Sequence, residues 1–265
     1  MKIALCLKGK VGNKNKYATA EPTMDLAVLG HKHFKENLLD HNDVDVFMHC
    51  WDKQFKEELI DLYKPKGASF QEQVDFRKYR ANLDLRSFSI TSYWYSVKKV
   101  FNLLKRYEQK HGFKYDCVIL SRYDMALMKQ VNFAEENFNL EYFYHNGPDP
   151  LHVRSKEICW EHCCDVNGES YEIGDMFFFS NSDNMHAFSS VYDYLDIYTP
   201  DSPHRNATKH LKRIGLFDKR KTFLDLYAYN YSTWNGVEDG TVPLVRWVYD
   251  MGAVENENTF GDNDE

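Results

Sequence analysis

The chain has 265 residues, 43% hydrophobic and 28% charged, enough apolar material for a packed core, which excludes a wholly disordered chain. Its 33 Lys+Arg stand against 40 Asp+Glu, and a net charge of −7 argues against a nucleic-acid partner, whose phosphates call for a basic surface. With a mean hydropathy of −0.61, no apolar run approaches the roughly 18 residues of a membrane-spanning helix.

Residues 3–7 read as a first core strand, broken at Lys8 too early for the apolar segment of a secretory signal. A Gly/Lys loop follows, with Lys8, Gly9, Lys10 and Gly12. Thr23 is placed to cap a helix carrying Leu26, Leu29, Phe34 and Leu38 at a period near 3.6. Residues 44–51 form a second strand; Asp52 then caps a helix with Phe55, Leu59 and Leu62, ended by Pro65 and Gly67. The charged, weakly periodic stretch 71–91 predicts a loop or lid.

The strongest helical stripe is Tyr93, Val97, Val100, Phe101, Leu104 and Tyr107, stopped by Gly112. Residues 117–120 are continuously apolar between polar flanks, the pattern of a strand buried on both faces at the centre of a parallel sheet. Residues 140–144 and 174–180 read as strands separated by a long loop over 145–173. Caps at Asn181 to Asp183 open a helix with Met185, Phe188, Val191, Tyr192 and Leu195. A basic helix over 205–214 stops at Gly215, residues 222–229 return to the sheet, and 256–265 form a frayed acidic tail. Alternating strands and helices predict an α/β fold with a mainly parallel sheet flanked by helices, as one domain over residues 1–255.

Of the six cysteines, Cys6, Cys50 and Cys117 lie in apolar runs, where a thiol behaves as a small hydrophobe. A reducing, cytoplasmic compartment is therefore expected. Cys159, His162, Cys163 and Cys164 crowd together without the second, separated ligand pair of a structural zinc site, so buried thiols are the expectation there.

Ligands of an open α/β sheet bind beyond the carboxyl ends of its strands. The candidates are Lys8, Gly9 and Lys10 after the first strand, and His49, Trp51 and Asp52 after the second. Ser121, Arg122 and Asp124 follow the central strand, and Ser180 and Asn181 the Phe-rich one. Cations, an aromatic, a carboxylate and small polar groups on one rim suit a diphosphate carrying a base and a sugar. The glycine loop lacks the Gly-Lys-Ser/Thr ending of a P-loop. Asp124 is placed either to hold a divalent cation or to pair with Arg122. Trp51, and Trp94 on the polar side of its helix, are placed to stack on a base or a pyranose ring; Tyr93, Phe101, Phe177 and Phe179 read as core.

Residues 92–100, Tyr107 and Glu108, and 114–124 with Arg122, Tyr123 and Asp124 resemble nucleotide-sugar-dependent glycosyltransferases of the GT-A fold. Residues 44–51, 174–180 and Ser202, Pro203 and His204 fit the same pattern. The resemblance covers most of residues 1–230, and is to glycosyltransferase-like proteins of bacteria and large DNA viruses in particular. It implies a GT-A-like, Rossmann-type sheet with a donor half at about 1–130 and an acceptor half at about 131–255. The activity implied is transfer of a sugar from a nucleotide sugar, a UDP-sugar first of all, to a hydroxyl of a glycan or glycoprotein, by inverting displacement.

On that reading Lys8, Gly9, Lys10, Trp51, Ser96, Ser121, Arg122 and Asp124 hold the donor. Asp175 is the general base, with Glu172 and Asp149 competing. Asp124 and His204 hold Mn²⁺ or Mg²⁺, and Lys209, Lys212 and Arg213 stand near the leaving group. One departure matters: Arg122 replaces the first acid of the family's Asp-x-Asp. Either Asp124 anchors the cation with help from elsewhere, or arginine neutralises the diphosphate directly and metal has little or no part. Another nucleotide-using enzyme, such as a nucleotidyltransferase, and a non-catalytic sugar-binding module are the alternatives.

Overall fold

Side chains alternate along a strand, and here both sets are apolar. On β1 (Lys2–Gly9), Ile3, Leu5 and Leu7 belong to one core while Ala4 and Cys6 belong to another. The same parity separates Cys117 and Ile119 from Val118 and Leu120 on β4 (Cys117–Ser121). Such strands must be covered on both sides, and in the computed structural model they are. It describes residues 1–11, 22–78, 85–127, 129–146, 173–198 and 202–223.

The remaining strands are β2 (Asp43–Cys50), β3 (Gly67–Phe70), β5 (Phe143–His145), β6 (Phe178–Ser180) and β7 (Arg220–Thr222). They form a mixed sheet in the order β3-β2-β1-β4-β6-β5-β7, with β4 in the middle as its sequence predicts. β3, β2, β1 and β4 are mutually parallel; β6 runs against both β4 and β5, and β7 runs parallel to β5.

One face is covered by α1 (Met24–Asn37) and α2 (Lys56–Tyr63), through Ala27, Phe34, Leu59 and Tyr63. Thr23 caps α1 as expected, its hydroxyl accepting from the Asp25 N–H at 3.3 Å. The other face is covered by α3 (Leu85–His111), α4 (Ser182–Phe188), α5 (Leu195–Tyr198) and α6 (Pro203–Arg213). Trp94, Val97, Phe101 and Leu104 of α3 meet Phe188, Val191, Leu195 and Leu211 there. Gly112, at φ +69°, stops α3 in the left-handed region that glycine adopts most readily.

Several boundaries differ from the sequence reading. The helix α3 begins at Leu85, inside the stretch expected to be a loop or lid. Gly67, expected to end a helix, opens β3, a short edge strand with no apolar alternation to announce it. Asp52 makes no side-chain cap; its carboxylate accepts the Val11 N–H at 2.8 Å and so fastens the chain after β1 to the end of β2. The strand expected at 174–180 is regular only from Phe178, although the Asn146 Oδ1 accepts from the Met176 and Phe177 N–H groups ahead of it. Most of the 145–173 loop, its cysteine cluster, and residues 224–265 lie outside the described residues.

Helix α1 rests directly on the backbone that follows β4. A Cβ added at Gly30 would lie 2.0 Å from the carbonyl oxygen of Tyr123, far inside any tolerated contact. The absence of a side chain at Gly30 therefore sets the height of the segment holding Arg122 and Asp124. Gly30→Ala is expected to cost about 1–3 kcal/mol, the usual toll of overpacking, read as a lower midpoint in chemical denaturation. An unchanged midpoint would show that helix and loop separate freely.

Candidate functional site

The parity that sends Ala4 and Cys6 toward α3 sends Lys8 there too, at the carboxyl end of β1. Lys8 is only 3% exposed, with its ammonium 3.1 Å from the centre of the Tyr93 ring. Burial pulls its pKa well below the lysine range, the neighbouring Arg122 pulls it further, and Asp175 and Asp124 oppose them. Gly9 follows at φ +106°, a turn that admits glycine and little else. Lys10 is exposed and acts on Asp52.

At the end of β4, Arg122 and Asp124 form a two-pronged pair. The Arg122 Nε donates to Oδ1 at 2.8 Å and Nη2 donates to Oδ2 at 2.9 Å. The Asp124 side chain is 1% exposed and the Arg122 side chain 27%. Burial works against the guanidinium's charge, but Asp124 and then Asp175 outweigh it and raise its pKa, so Arg122 is a fixed cation. Two of its five N–H groups are spent on Asp124; among the described residues no further acceptor takes the other three. Ser121 is fully buried and its hydroxyl donates to the Met176 carbonyl at 3.3 Å, tying β4 to the segment that carries Asp175.

Because β6 is reversed, its start rather than its end reaches this rim. Asp175 therefore joins Lys8, Arg122 and Asp124, and the Tyr93 hydroxyl donates to the Asp175 carbonyl at 2.5 Å. The same reversal corrects the expectation for Ser180 and Asn181. They lie at the opposite edge, where Ser180 donates to the Leu140 and Tyr142 carbonyls and Asn181 caps α4. His204, in the first turn of α6, has its Nδ1 3.1 Å from the Ile173 carbonyl, which can only accept, so this nitrogen carries the proton. The same nitrogen is 4.0 Å from the Asp175 carboxylate, too far for a hydrogen bond.

Beside the charged group, at the end of β2, lies an aromatic one. His49 is fully buried and its Nδ1 meets the Ser96 hydroxyl at 2.5 Å. Burial holds His49 down to about 4, so it is neutral at physiological pH. Trp51, 6% exposed, stacks on Tyr95 with ring centres 5.4 Å apart and meets Phe76 edge-on.

Lys8, Arg122, Asp124 and Asp175 thus converge, with Gly9 and Ser121 supporting them and His204 at the border. Ser96 is turned to His49 and Trp51 to Tyr95, so both belong to the neighbouring aromatic group. Trp94 is a correction: it is fully buried against Phe188, on the stripe it shares with Val97 and Phe101, and offers no face to a ligand. The basic residues of α6 are likewise engaged by the protein. Lys209 donates to the Tyr198 carbonyl at 2.8 Å, Lys212 lies over Phe217 and Arg213 over Tyr194. Asp149 and Glu172 lie outside the described residues. Tyr93, read as core, does pack against the α3 core, and in addition it carries the Lys8 ammonium on its ring and donates to the Asp175 carbonyl. The available signal was its place near the start of a helix lying antiparallel to β1 and β4, which sets it over their carboxyl ends.

The residues suit a divalent cation poorly. Mg²⁺ or Mn²⁺ takes oxygen ligands, with carboxylates free to approach it. Here the one fully buried carboxylate has both oxygens on a guanidinium, and a cation beside it would face Arg122 and Lys8. Among the described residues no group of three or more His, Cys, Asp or Glu gathers as a metal site. Compared with known protein families the chain matches none, and comparison with curated proteins likewise finds no match.

A buried lysine without a closed ion pair is a burden on the fold. Lys8→Met is expected to stabilise the fold by about 1–3 kcal/mol at pH 7, as when a buried charge yields to an apolar side chain of similar length. The sign follows from its lowered pKa: the unfolded chain binds the proton more tightly, so the penalty shrinks as pH rises toward the unfolded lysine value of about 10.4. Denaturation at pH 7 and pH 10 checks this; a variant less stable at both would make Lys8 a structural residue.

Proposed function

We propose that the protein is a glycosyltransferase that takes a sugar from a nucleotide-sugar donor, a UDP-sugar first of all, to a hydroxyl of a glycan or glycoprotein. One observation carries the reading. Strands β1, β2 and β3 succeed one another to one side, and the chain then returns to place β4 on the other side of β1. The crevice between β1 and β4 is a topological switch point, where open α/β sheets bind their ligands. Two buried or half-buried cations, Lys8 and Arg122, stand at its mouth. The mixed, mostly parallel sheet flanked by helices is compatible with the GT-A-like architecture that the sequence resemblance implies.

The chemistry follows from the charges. Lys8 and Arg122 hold the donor diphosphate, with the backbone of Gly9 allowing close approach. The anomeric carbon is then directed toward Asp175, whose carboxylate removes the proton of the acceptor hydroxyl as the new glycosidic bond forms. The sugar–phosphate bond breaks, and the charge developing on the departing nucleoside diphosphate falls on the two cations. Displacement from the face opposite the leaving group inverts the anomeric centre. His204 and Tyr93 position the Asp175 segment. A reducing, cytoplasmic setting accords with the free buried thiols of Cys6, Cys50 and Cys117. No described helix is long and apolar enough to cross a membrane.

Incubation with UDP-sugars and glycan acceptors is expected to release UDP. Asp175→Asn should lower turnover by about 10²–10⁴-fold, the usual share of a general base, while leaving UDP affinity within about threefold. Consumption of a sugar phosphate with release of pyrophosphate would make the protein a nucleotidyltransferase instead. Glycan binding indifferent to UDP, with no turnover, would make it a binding module.

A further inference from the structure

Basic and acidic side chains already stand together at the switch point before any ligand arrives. Lys8 and Arg122 are its cations, Asp124 and Asp175 its carboxylates, with the Tyr93 ring beneath the ammonium. We infer that the site, on the donor reading above, clamps the diphosphate between Arg122 and Lys8 with no divalent cation, and that Asp124 holds Arg122 in place rather than binding metal.

Three features carry this. The Arg122–Asp124 pair is closed at both oxygens, at 2.8 and 2.9 Å, and Asp124 is almost wholly buried, so the carboxylate is built to hold a guanidinium. The guanidinium keeps three N–H groups beyond that pair on a partly exposed side chain, and its planar fork matches two phosphate oxygens as a lysine cannot. Lys8 supplies the second positive charge from the adjacent strand. The two side chains thus approach a diphosphate from adjacent strands. The groups facing Lys8 are Arg122 and Asp124 from the end of β4, Asp175 from the segment before β6, and Tyr93 from α3.

The two roles for Asp124 predict opposite behaviour. As the holder of Arg122, Asp124→Asn keeps an acceptor oxygen for the guanidinium and removes a negative charge from beside the bound anion. As a metal ligand, it would lose the cation and the donor with it.

Calorimetric titration of UDP into the full-length protein, once with EDTA and once with excess Mn²⁺, decides between them. The clamp predicts dissociation constants that agree within about threefold between the two conditions, and Asp124→Asn binding at least as tightly as the wild type in EDTA. It also predicts at least about a tenfold loss for Arg122→Ala in both. Binding that requires Mn²⁺ and vanishes in Asp124→Asn overturns the clamp while leaving the donor reading intact. Binding in neither condition overturns the donor reading itself. Should Asp124→Asn fail to fold by circular dichroism, the wild-type titrations with and without Mn²⁺ still separate clamp from metal site.

Discussion

A charged side chain at the end of a strand buried on both faces needs a partner, because water cannot supply one at full strength. Arg122 and Asp124 meet that need for each other at the exit of β4, and the rest of the rim is arranged around their closed pair. Lys8 emerges from β1 one strand away with an aromatic ring for company. Asp175 arrives from the reversed strand β6. The parallel half of the sheet brings carboxyl ends together; the single reversal adds a carboxylate that a wholly parallel sheet would have carried to the far edge.

The opposite edge of the sheet gives a useful contrast. Glu108, near the end of α3, is also a buried charge, yet each of its oxygens is spent within the fold. It accepts from the Tyr115 N–H at 3.1 Å and the Ser182 hydroxyl at 2.7 Å, and pairs with His186 at 2.6 Å. Burial would raise its pKa, but those bonds, His186 first, hold it below the usual carboxylate range. That group ties α3 to β4 and α4 and has nothing left to offer a ligand. At the carboxyl edge Arg122 retains unspent donors and Lys8 is held at odds with its surroundings. The difference between a satisfied buried charge and an unspent one is what makes the rim the candidate site.

Much of this was legible in the sequence because burial on two faces leaves a plain trace. The unbroken apolar run at 117–120 announced the central strand, and Arg122 and Asp124 are candidates because they follow it. Thr23, Gly112 and Gly215 marked helix ends through capping and left-handed turns that local chemistry dictates. What escaped was set by pairing at long range. The direction of β6 depends on its hydrogen bonds to β4 and β5, and nothing in residues 174–180 encodes it; Ser180 and Asn181 were therefore assigned to the wrong edge. Trp94 reads as polar-facing only if its spacing of three and seven residues from Val97 and Phe101 is overlooked; that spacing puts it on the buried stripe. Asp52 resembles a cap by type, but the Val11 N–H across the rim takes its carboxylate first. Tyr93 could be read only as core, since its contact with Lys8 depends on folding, which brings the lysine over its ring from a strand far away in sequence.

The account stands on a nucleotide diphosphate lying across the β1–β4 crevice. A crystal structure of the protein grown with UDP is the most direct check. The account predicts phosphate oxygens within hydrogen-bond reach of the Arg122 guanidinium and the Lys8 ammonium, with Asp124 still gripping Arg122 from behind. UDP bound away from both cations, with their side chains undisturbed, would contradict it.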